Sequence, residues 1–157
     1  MQPISTCLWF DNESLEAAEF YVSLFPNSRI VEVSHYLEGT PRPVGDVLMV
    51  RFVLNGTELL ALNGGPQYKP TPAMSLVAQC DTQEEIDTLW QKLSEGGEEV
   101  QCGWVTDKFG VSWQVAPRDF LKLFNSDDEA ASQRAFSAMM TMTKLDIAAL
   151  ERAYRGD

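Results

Sequence analysis

Several features that would assign a function directly are missing from this chain of 157 residues. No apolar run approaches the roughly 20 residues that a membrane-spanning helix needs. The first residues lack the basic start and the long apolar stretch of a signal peptide. The sequence therefore predicts a soluble, cytoplasmic protein that has no membrane partner.

Basic residues and histidine are also scarce. The chain has 12 lysines and arginines against 23 aspartates and glutamates, which gives a net charge of −11. Because phosphates repel such a chain, nucleic acids and anionic membranes are not expected as partners. His35 is the only histidine, so metal sites with several histidines and relays of two histidines are excluded. On a predicted strand, His35 is more simply a structural or solvated side chain than a catalytic one.

Cysteine is equally sparse, and Cys7, Cys80 and Cys102 are widely separated. An odd, unclustered set of cysteines fits a reducing compartment better than a disulfide scaffold. No C-x-x-C spacing is present, so zinc-binding and thioredoxin-like roles have no support. Cys102 is either a reactive thiol or a small buried hydrophobic residue, and the second interpretation is the simpler one.

What the chain does contain is an alternation of strand and helix patterns. In the first half, strands are predicted over residues 4–10, 29–37, 46–54 and 57–62. The last two flank Asn55-Gly56, a strong hairpin signal because both turn positions need positive φ. A helix follows the first strand, with Asp11 or Asn12 as its predicted cap. Its predicted apolar face consists of Leu15, Ala18, Val22 and Phe25.

The second half repeats this order. Strands are predicted over residues 73–79, 99–106 and 111–116. The helix between the first two has a clear apolar face of Ile86, Leu89, Trp90 and Leu93. Asp81 is predicted to cap it, with Glu84 in the capping-box position. Asp11 and Asp81 each follow a strand at an offset of 81 − 11 = 70 residues, which predicts two copies of one α+β unit.

After Pro117 the sequence becomes helical. A helix over residues 118–124 is followed by one capped by Ser126 with Glu129, and by one capped by Thr143 with Asp146. The apolar residues of this segment must cover either a second copy of the chain or their own module: Phe136, Met139, Met140, Ile147, Leu150 and Tyr154. Met139, Met140 and Met142 favour core or dimer packing over a cofactor site.

Three blocks of sequence carry a resemblance to a known family: LWFDNESLEAAEFYVSLFPNSRI, FVLNGTELLALNGGP and DTQEEIDTLWQKLSEGGEEVQCGWVTDKFGVSWQV. They cover most of residues 8–117 and resemble the vicinal oxygen chelate superfamily (glyoxalase, bleomycin resistance and dioxygenase proteins). The closer resemblance is to its PhnB-like branch, which is labelled 3-demethylubiquinone-9 3-methyltransferase. It implies an α+β fold of two βαβββ modules that form a glyoxalase/bleomycin-resistance-type curved sheet.

The resemblance also implies an organisation for the whole chain. The expected segments are a first module over residues 1–66, a second module over residues 67–117, and a helical C-terminal extension over residues 118–157. Together they are expected to form one compact domain. The expected assembly is a homodimer.

In that superfamily four side chains bind a divalent metal. Their places in this chain fall on Thr6, on or near Ala61, and on Ser75 and Gln114. Hard cations prefer carboxylates or imidazoles, and these residues provide neither. The expectation is therefore no metal and no cofactor. The methyltransferase label lacks support as well, since no glycine-rich loop follows a first strand and opens a helix, as an S-adenosylmethionine site would need.

The same resemblance implies a small-molecule pocket on the concave face of each module's sheet. Strand alternation assigns to that face Thr6, Leu8, Phe10, Asn63, Ser75, Val77, Gln79, Ser112 and Gln114. Such a lining is mostly apolar with a few neutral polar groups, as is usual for small-molecule sites. The same residues could equally form the filled core of a collapsed barrel.

Two functions remain open from the sequence. The first is a metal-independent small-molecule binding protein of sequestering or resistance type, with no ligand indicated. The second is a superfamily enzyme, a lyase, isomerase or transferase, in which an unexpected metal site, Cys102 or His35 supplies the reactive group. The acidic runs Glu84-Glu85, Glu98-Glu99 and Asp127-Asp128-Glu129, two of which sit at expected helix starts, are better explained as solvated caps than as acid–base pairs.

Overall fold

A computed structural model describes residues 4–157, and Met1–Pro3, with which the first predicted module begins, lie outside the described residues. The chain divides into two compact units, of which the first ends at Pro70 and the second spans Thr71–Asp157. Each unit contains a four-stranded mixed sheet and a helix that follows its first strand. The predicted α+β class, with two βαβββ modules and a helical C-terminal extension, is confirmed.

The first unit contains β1 (Thr6–Phe10), α1 (Ser14–Leu24), β2 (Arg29–His35), β3 (Val47–Leu54) and β4 (Thr57–Asn63). Its strands are ordered β1-β4-β3-β2, with β1 parallel to β4 and the other pairs antiparallel. Asn55 and Gly56 have φ values of 43° and 87°. Both central residues are left-handed, so the predicted Asn-Gly hairpin turn is confirmed.

Helix α1 covers the sheet through a different face from the one predicted. Its buried residues are Ser14, Ala17, Ala18 and Tyr21. The ring of Tyr21 stacks on Phe52 of β3, with 6.4 Å between the centroids. Leu15 and Val22, which were predicted to face the core, are only partly buried. The prediction followed the larger aliphatic side chains, and of its four residues only Ala18 is buried.

The second unit contains β5 (Ser75–Cys80), α2 (Gln83–Ser94), β6 (Glu98–Glu99), β7 (Trp104–Thr106), β8 (Ser112–Pro117), a 3₁₀ turn (Phe120–Leu123), α3 (Glu129–Met139) and α4 (Ile147–Arg155). The strand order β5-β8-β7-β6 repeats the topology of the first sheet. The predicted buried face of α2 is confirmed, since Ile86, Leu89, Trp90 and Leu93 are its buried residues.

The cap of α2 lies one residue beyond the predicted one. Thr82 is the N-cap, and its Oγ1 accepts a hydrogen bond from the backbone N–H of Glu85 at 3.2 Å. The Glu85 carboxylate in turn accepts from the backbone N–H of Asp81 at 2.6 Å. The predicted spacing of three residues between the cap and its glutamate is therefore confirmed, but the pair is Thr82 and Glu85 instead of Asp81 and Glu84. Aspartate and threonine are both good capping residues, so the sequence did not distinguish the two positions.

The C-terminal extension covers part of its own unit's sheet. Ala116 of β8 forms a buried cluster with Leu145 and Leu150. Partly buried residues packed against this cluster are Phe120, Leu123, Ala138, Met139 and Met142. Of the six apolar residues whose covering the sequence left open, Met139 and Leu150 therefore pack within their own unit. Phe136 and Met140 remain 44% and 48% exposed.

The two helices of the extension are short and capped by aspartates. Asp128 caps α3 and Asp146 caps α4, in place of the predicted Ser126 and Thr143. Over residues 4–157, no helix has the length and apolar character to cross a bilayer.

Candidate functional site

Each sheet has a face covered by the helix that follows its first strand, and an opposite face, here termed the far face. In the first unit, the backbone N–H of Ser14 donates to Asn63 Oδ1 at 2.9 Å, and an α1 ring stacks on Phe52. Phe52 pairs with Leu59, and Leu59 pairs with Thr6. Because paired residues on adjacent strands point to the same side, these side chains mark the covered face.

The four residues predicted to line a pocket in the first unit all lie on this covered face: Thr6, Leu8, Phe10 and Asn63. Phe10 and Asn63 are each only 3% exposed. Their assignment to a face that is open to a ligand is wrong, because helix α1 covers this face. An error of one residue in the assumed alternation moves every side chain of a strand to the opposite face. The far face of this sheet instead carries Cys7, Trp9, Met49, Arg51, Leu60 and Leu62.

Asn63 has a structural role on the covered face. Its Oδ1 accepts from the N–H of Ser14 at 2.9 Å, and its Nδ2 donates to the carbonyl of Val47 at 3.0 Å. The hydroxyl of Tyr36 donates to the Asn63 carbonyl at 2.5 Å. Helix α1 has no side-chain cap from the residue before it, so Asn63 supplies the missing acceptor from the sheet.

Trp9 is the largest side chain on the far face of the first sheet. Its Nε1 donates to the carbonyl of Gly65 at 2.8 Å, and its ring meets Tyr68 edge to face with centroids 5.0 Å apart. A Cβ atom at Gly64 would overlap the Trp9 indole, so glycine is needed there for the close approach. Partial burial raises the pKa of the Cys7 thiol, although the residue as a whole is exposed.

In the second unit, the structure brings the five predicted pocket residues together on the far face: Ser75, Val77, Gln79, Ser112 and Gln114. The covered face carries Trp113 and Val115, which are at most 2% exposed. It also carries Cys80, which lies close enough to the Glu85 carboxylate of α2 for that charge to contribute to its raised pKa.

Three rows of side chains cross the far face of the second sheet. They contain Ser75, Ser112 and Thr106; Val77, Gln114 and Trp104; and Gln79 with Ala116. The first two rows are joined by a hydrogen bond of 2.9 Å from Gln114 Nε2 to Ser75 Oγ. Ser112 is 3% exposed and Ala116 is buried under Leu145 and Leu150, whereas Val77 is 48% exposed, so the open part of the face lies at the middle row. Sequence analysis missed Trp104 and Thr106, although their alternation in β7 was a usable signal.

A divalent metal does not fit the positions implied by the resemblance. Thr6 and Ala61 lie on the covered face of the first sheet, and Ala61 is fully buried. Ser75 and Gln114 lie on the far face of the second sheet and are hydrogen-bonded to each other. These residues provide no carboxylate or imidazole. In the part of the chain that the structure describes, no three His, Cys, Asp or Glu side chains form a group that could hold a metal ion.

Reactive side chains are few. Burial, with the charges of Glu85 and Asp81, raises the pKa of Cys80 to about 11, so this thiol is protonated and poorly nucleophilic at neutral pH. His35 is exposed at the end of β2. Cys102 is only partly buried and has a φ of 61°, so the prediction of a buried cysteine is wrong.

Comparison with known proteins identifies the family. The family model described as 3-demethylubiquinone-9 3-methyltransferase matches residues 2–116. A PhnB protein from Bacillus cereus, which carries the same methyltransferase description, is 40% identical. The match covers 73% of this chain and 98% of that chain, with a TM-score of 0.67.

More distant structures share the fold alone. A protein from Pseudomonas aeruginosa is 23% identical with a TM-score of 0.62, over 74% of this chain and 98% of that chain. The fosfomycin resistance protein FosX from Listeria monocytogenes, in complex with Mn(II) and sulfate, is 13% identical with a TM-score of 0.52. That match covers 73% of this chain and 89% of that chain. No curated protein sequence gives a significant match.

The family match spans well over half of the chain and includes both βαβββ modules. The chain is 40% identical to the Bacillus cereus protein, and this alignment covers nearly all of that relative. The chain therefore belongs to the 3-demethylubiquinone-9 3-methyltransferase family, and it is similar to the PhnB protein of Bacillus cereus.

Proposed function

We propose that this protein binds a small uncharged molecule on the far face of the second sheet, without a metal ion. The observation that carries the proposal is the Ser75–Gln114 hydrogen bond on a face that also presents Val77 and Trp104. The far-face side chains of β5, β7 and β8 have no ionisable group, and Glu98 of β6 borders them at the Thr106 end. A charged ligand would lose its hydration there without gaining an opposite charge.

Ser75 and Gln114 offer both kinds of hydrogen-bonding group to such a ligand. While Nε2 of Gln114 donates to Ser75 Oγ, the amide oxygen of Gln114 keeps its acceptor lone pairs, and Ser75 keeps a hydroxyl hydrogen to donate. Val77 and the indole of Trp104 flank Gln114 in its row and supply apolar surface. A flat apolar molecule with one neutral polar group matches this arrangement.

The alternative, a lyase, isomerase or transferase of the superfamily, has less support. Raised pKa values keep the thiols of Cys7 and Cys80 protonated, which weakens them as nucleophiles.

The connections that lead into α1 and α2, residues 11–13 and 81–82, contain no glycine. They therefore lack the glycine-rich turn with which nucleotide-like cofactors are bound at the start of a helix.

The proposal can be tested with the uncharged fluorophore N-phenyl-1-naphthylamine, whose emission rises in an apolar site. We expect saturable binding to the unmodified chain. In Val77→Asp, the affinity is expected to fall about tenfold or more, because a carboxylate replaces an exposed apolar side chain beside Gln114.

Val44→Asp is the matched control. Val44 is 68% exposed and lies in the loop between β2 and β3 of the first unit, outside the far face of the second sheet. Its affinity for the fluorophore is expected to equal that of the unmodified chain. Equal affinities for all three proteins, or a linear signal without saturation, would contradict the proposal.

A homodimer is a second, separate proposal that is supported by the resemblance and by the exposed apolar side chains of Phe136 and Met140. Sedimentation equilibrium over a range of protein concentrations tests it. A mass equal to that of one chain at every concentration would contradict it.

A further inference from the structure

Two sulfur-containing side chains of the second unit, those of Cys102 and Met140, lie in contact. Neither belongs to the set of residues proposed above to bind a ligand. Sγ of Cys102 lies 3.7 Å from Sδ of Met140, which is 38 residues later in the sequence. Cys102 lies in the turn between β6 and β7, and Met140 directly follows α3. Met140 is 48% exposed and Cys102 is partly exposed, so both residues lie at the protein surface.

The backbone holds the two segments together independently of this side-chain contact. Cys102 and Gly103 form the centre of a tight turn, with φ values of 61° and 80°. Their N–H groups donate to the carbonyls of Met142 and Thr143, each at 2.8 Å. The thiol and the thioether are therefore brought together by the fold, not only by the rotamers of two exposed side chains.

We propose that Cys102 and Met140 together bind a soft monovalent metal ion of the Cu⁺ type. Thiolate and thioether sulfur are the ligands that such ions prefer over oxygen and nitrogen. On binding, the Cys102 thiol releases its proton to solvent as the sulfur–metal bond forms. Met140 donates a lone pair and loses no proton, and the oxidation state of the metal does not change. The site is independent of the far-face ligand proposed above.

Ag⁺ is a suitable probe because it shares the charge and the ligand preference of Cu⁺ and does not cycle between oxidation states in the assay. The titration is made in a Cys7→Ser background, because the exposed thiol of Cys7 would bind Ag⁺ by itself. We expect one tightly bound Ag⁺ per chain. In a chain with ¹³C-labelled methionine methyl groups, the Met140 signal is expected to shift in step with Ag⁺ binding.

Substitutions separate this paired site from an ordinary thiol. Met140→Leu keeps an apolar side chain of similar size but removes the sulfur, and we expect the Ag⁺ affinity to fall about tenfold or more. Met74→Leu is the matched control, since Met74 is also solvent-exposed, at 74%, and is expected to leave the affinity unchanged. Cys102→Ser is expected to abolish tight binding.

An unchanged Ag⁺ affinity in Met140→Leu would overturn the proposal, and so would binding that persists in Cys102→Ser. A Met140 methyl signal that stays in place while Ag⁺ binds would show that Cys102 acts alone. This last measurement is made on a chain that retains both residues, so it decides the question even where a substitution disturbs the fold.

Discussion

At the scale of single residues, Asn63 joins the start of α1 to the beginning of β3 through one buried amide. We expect Asn63→Leu to lower the free energy of unfolding by about 2–4 kcal/mol, because it leaves the N–H of Ser14 and the carbonyl of Val47 without partners. Urea denaturation followed by circular dichroism measures this loss.

Asn125→Leu provides the control for this substitution, since Asn125 is exposed. The same replacement there is expected to change the free energy of unfolding by no more than about 0.5 kcal/mol. A loss in Asn63→Leu as small as the one in Asn125→Leu would contradict the structural role given to Asn63.

Residue patterns also explain why the two faces of a sheet could be told apart from the sequence in one unit only. In the second sheet, Ser75, Val77 and Gln79 alternate with residues of the covered face, and the polar members indicated the far face. In β1, Leu8, Trp9 and Phe10 are consecutive large apolar residues. Alternation between polar and apolar residues is absent there, so the sequence contained no signal that distinguished the two faces.

At the scale of elements, the cap of α2 supports a local prediction. Thr82→Ala removes the acceptor for the N–H of Glu85, and we expect the free energy of unfolding to fall by about 1 kcal/mol. Thermal or urea unfolding monitored by circular dichroism is the measurement. Thr88→Ala, at an exposed position within the same helix, is expected to be neutral or slightly stabilising, because alanine has the higher helix propensity. A loss of similar size in both variants would contradict the capping role of Thr82.

Most elements were predictable because their hydrophobic period and turn residues agree, as for α2 and for the hairpin at Asn55-Gly56. The segment over residues 99–106 was predicted as one strand, but a turn at Cys102 separates β6 from β7. That turn needs positive φ at a cysteine, which is uncommon for a residue with a side chain. The neighbouring Gly103, which also has positive φ, was a usable signal of the break that the strand prediction overlooked.

At the scale of the whole molecule, stability depends on alkaline pH through Cys80. Burial, followed by the charges of Glu85 and Asp81, raises the pKa of its thiol from 9.0 to about 11. The folded chain thus holds this proton more tightly than the unfolded chain. Its stabilising contribution is complete below pH 9.0 and is lost as the pH rises to about 11.

We therefore expect the free energy of unfolding to decrease between about pH 9 and pH 11, and to decrease less steeply in Cys80→Ala. Urea unfolding of both proteins across this range tests the expectation, since the two proteins differ only at residue 80. Parallel curves for the two proteins would show that Cys80 does not couple to folding.

The two-module organisation was predictable because strand, helix and cap recur at a fixed offset in the sequence. What the C-terminal extension covers was not predictable, because an apolar stripe does not specify the surface against which it packs. The structure shows that Leu145 and Leu150 pack against Ala116 of β8.

The cover over Ala116 has a consequence for the growing chain on the ribosome. All strands of the first unit have been synthesised once translation reaches Pro70, so that unit can fold while the remainder is still being made. The sheet of the second unit is complete at Pro117, but Leu145 and Leu150 are added only later. Without those residues the Ala116 end of the sheet is uncovered, and a chain that ended before Leu145 would present it to chaperones and proteases once released from the ribosome.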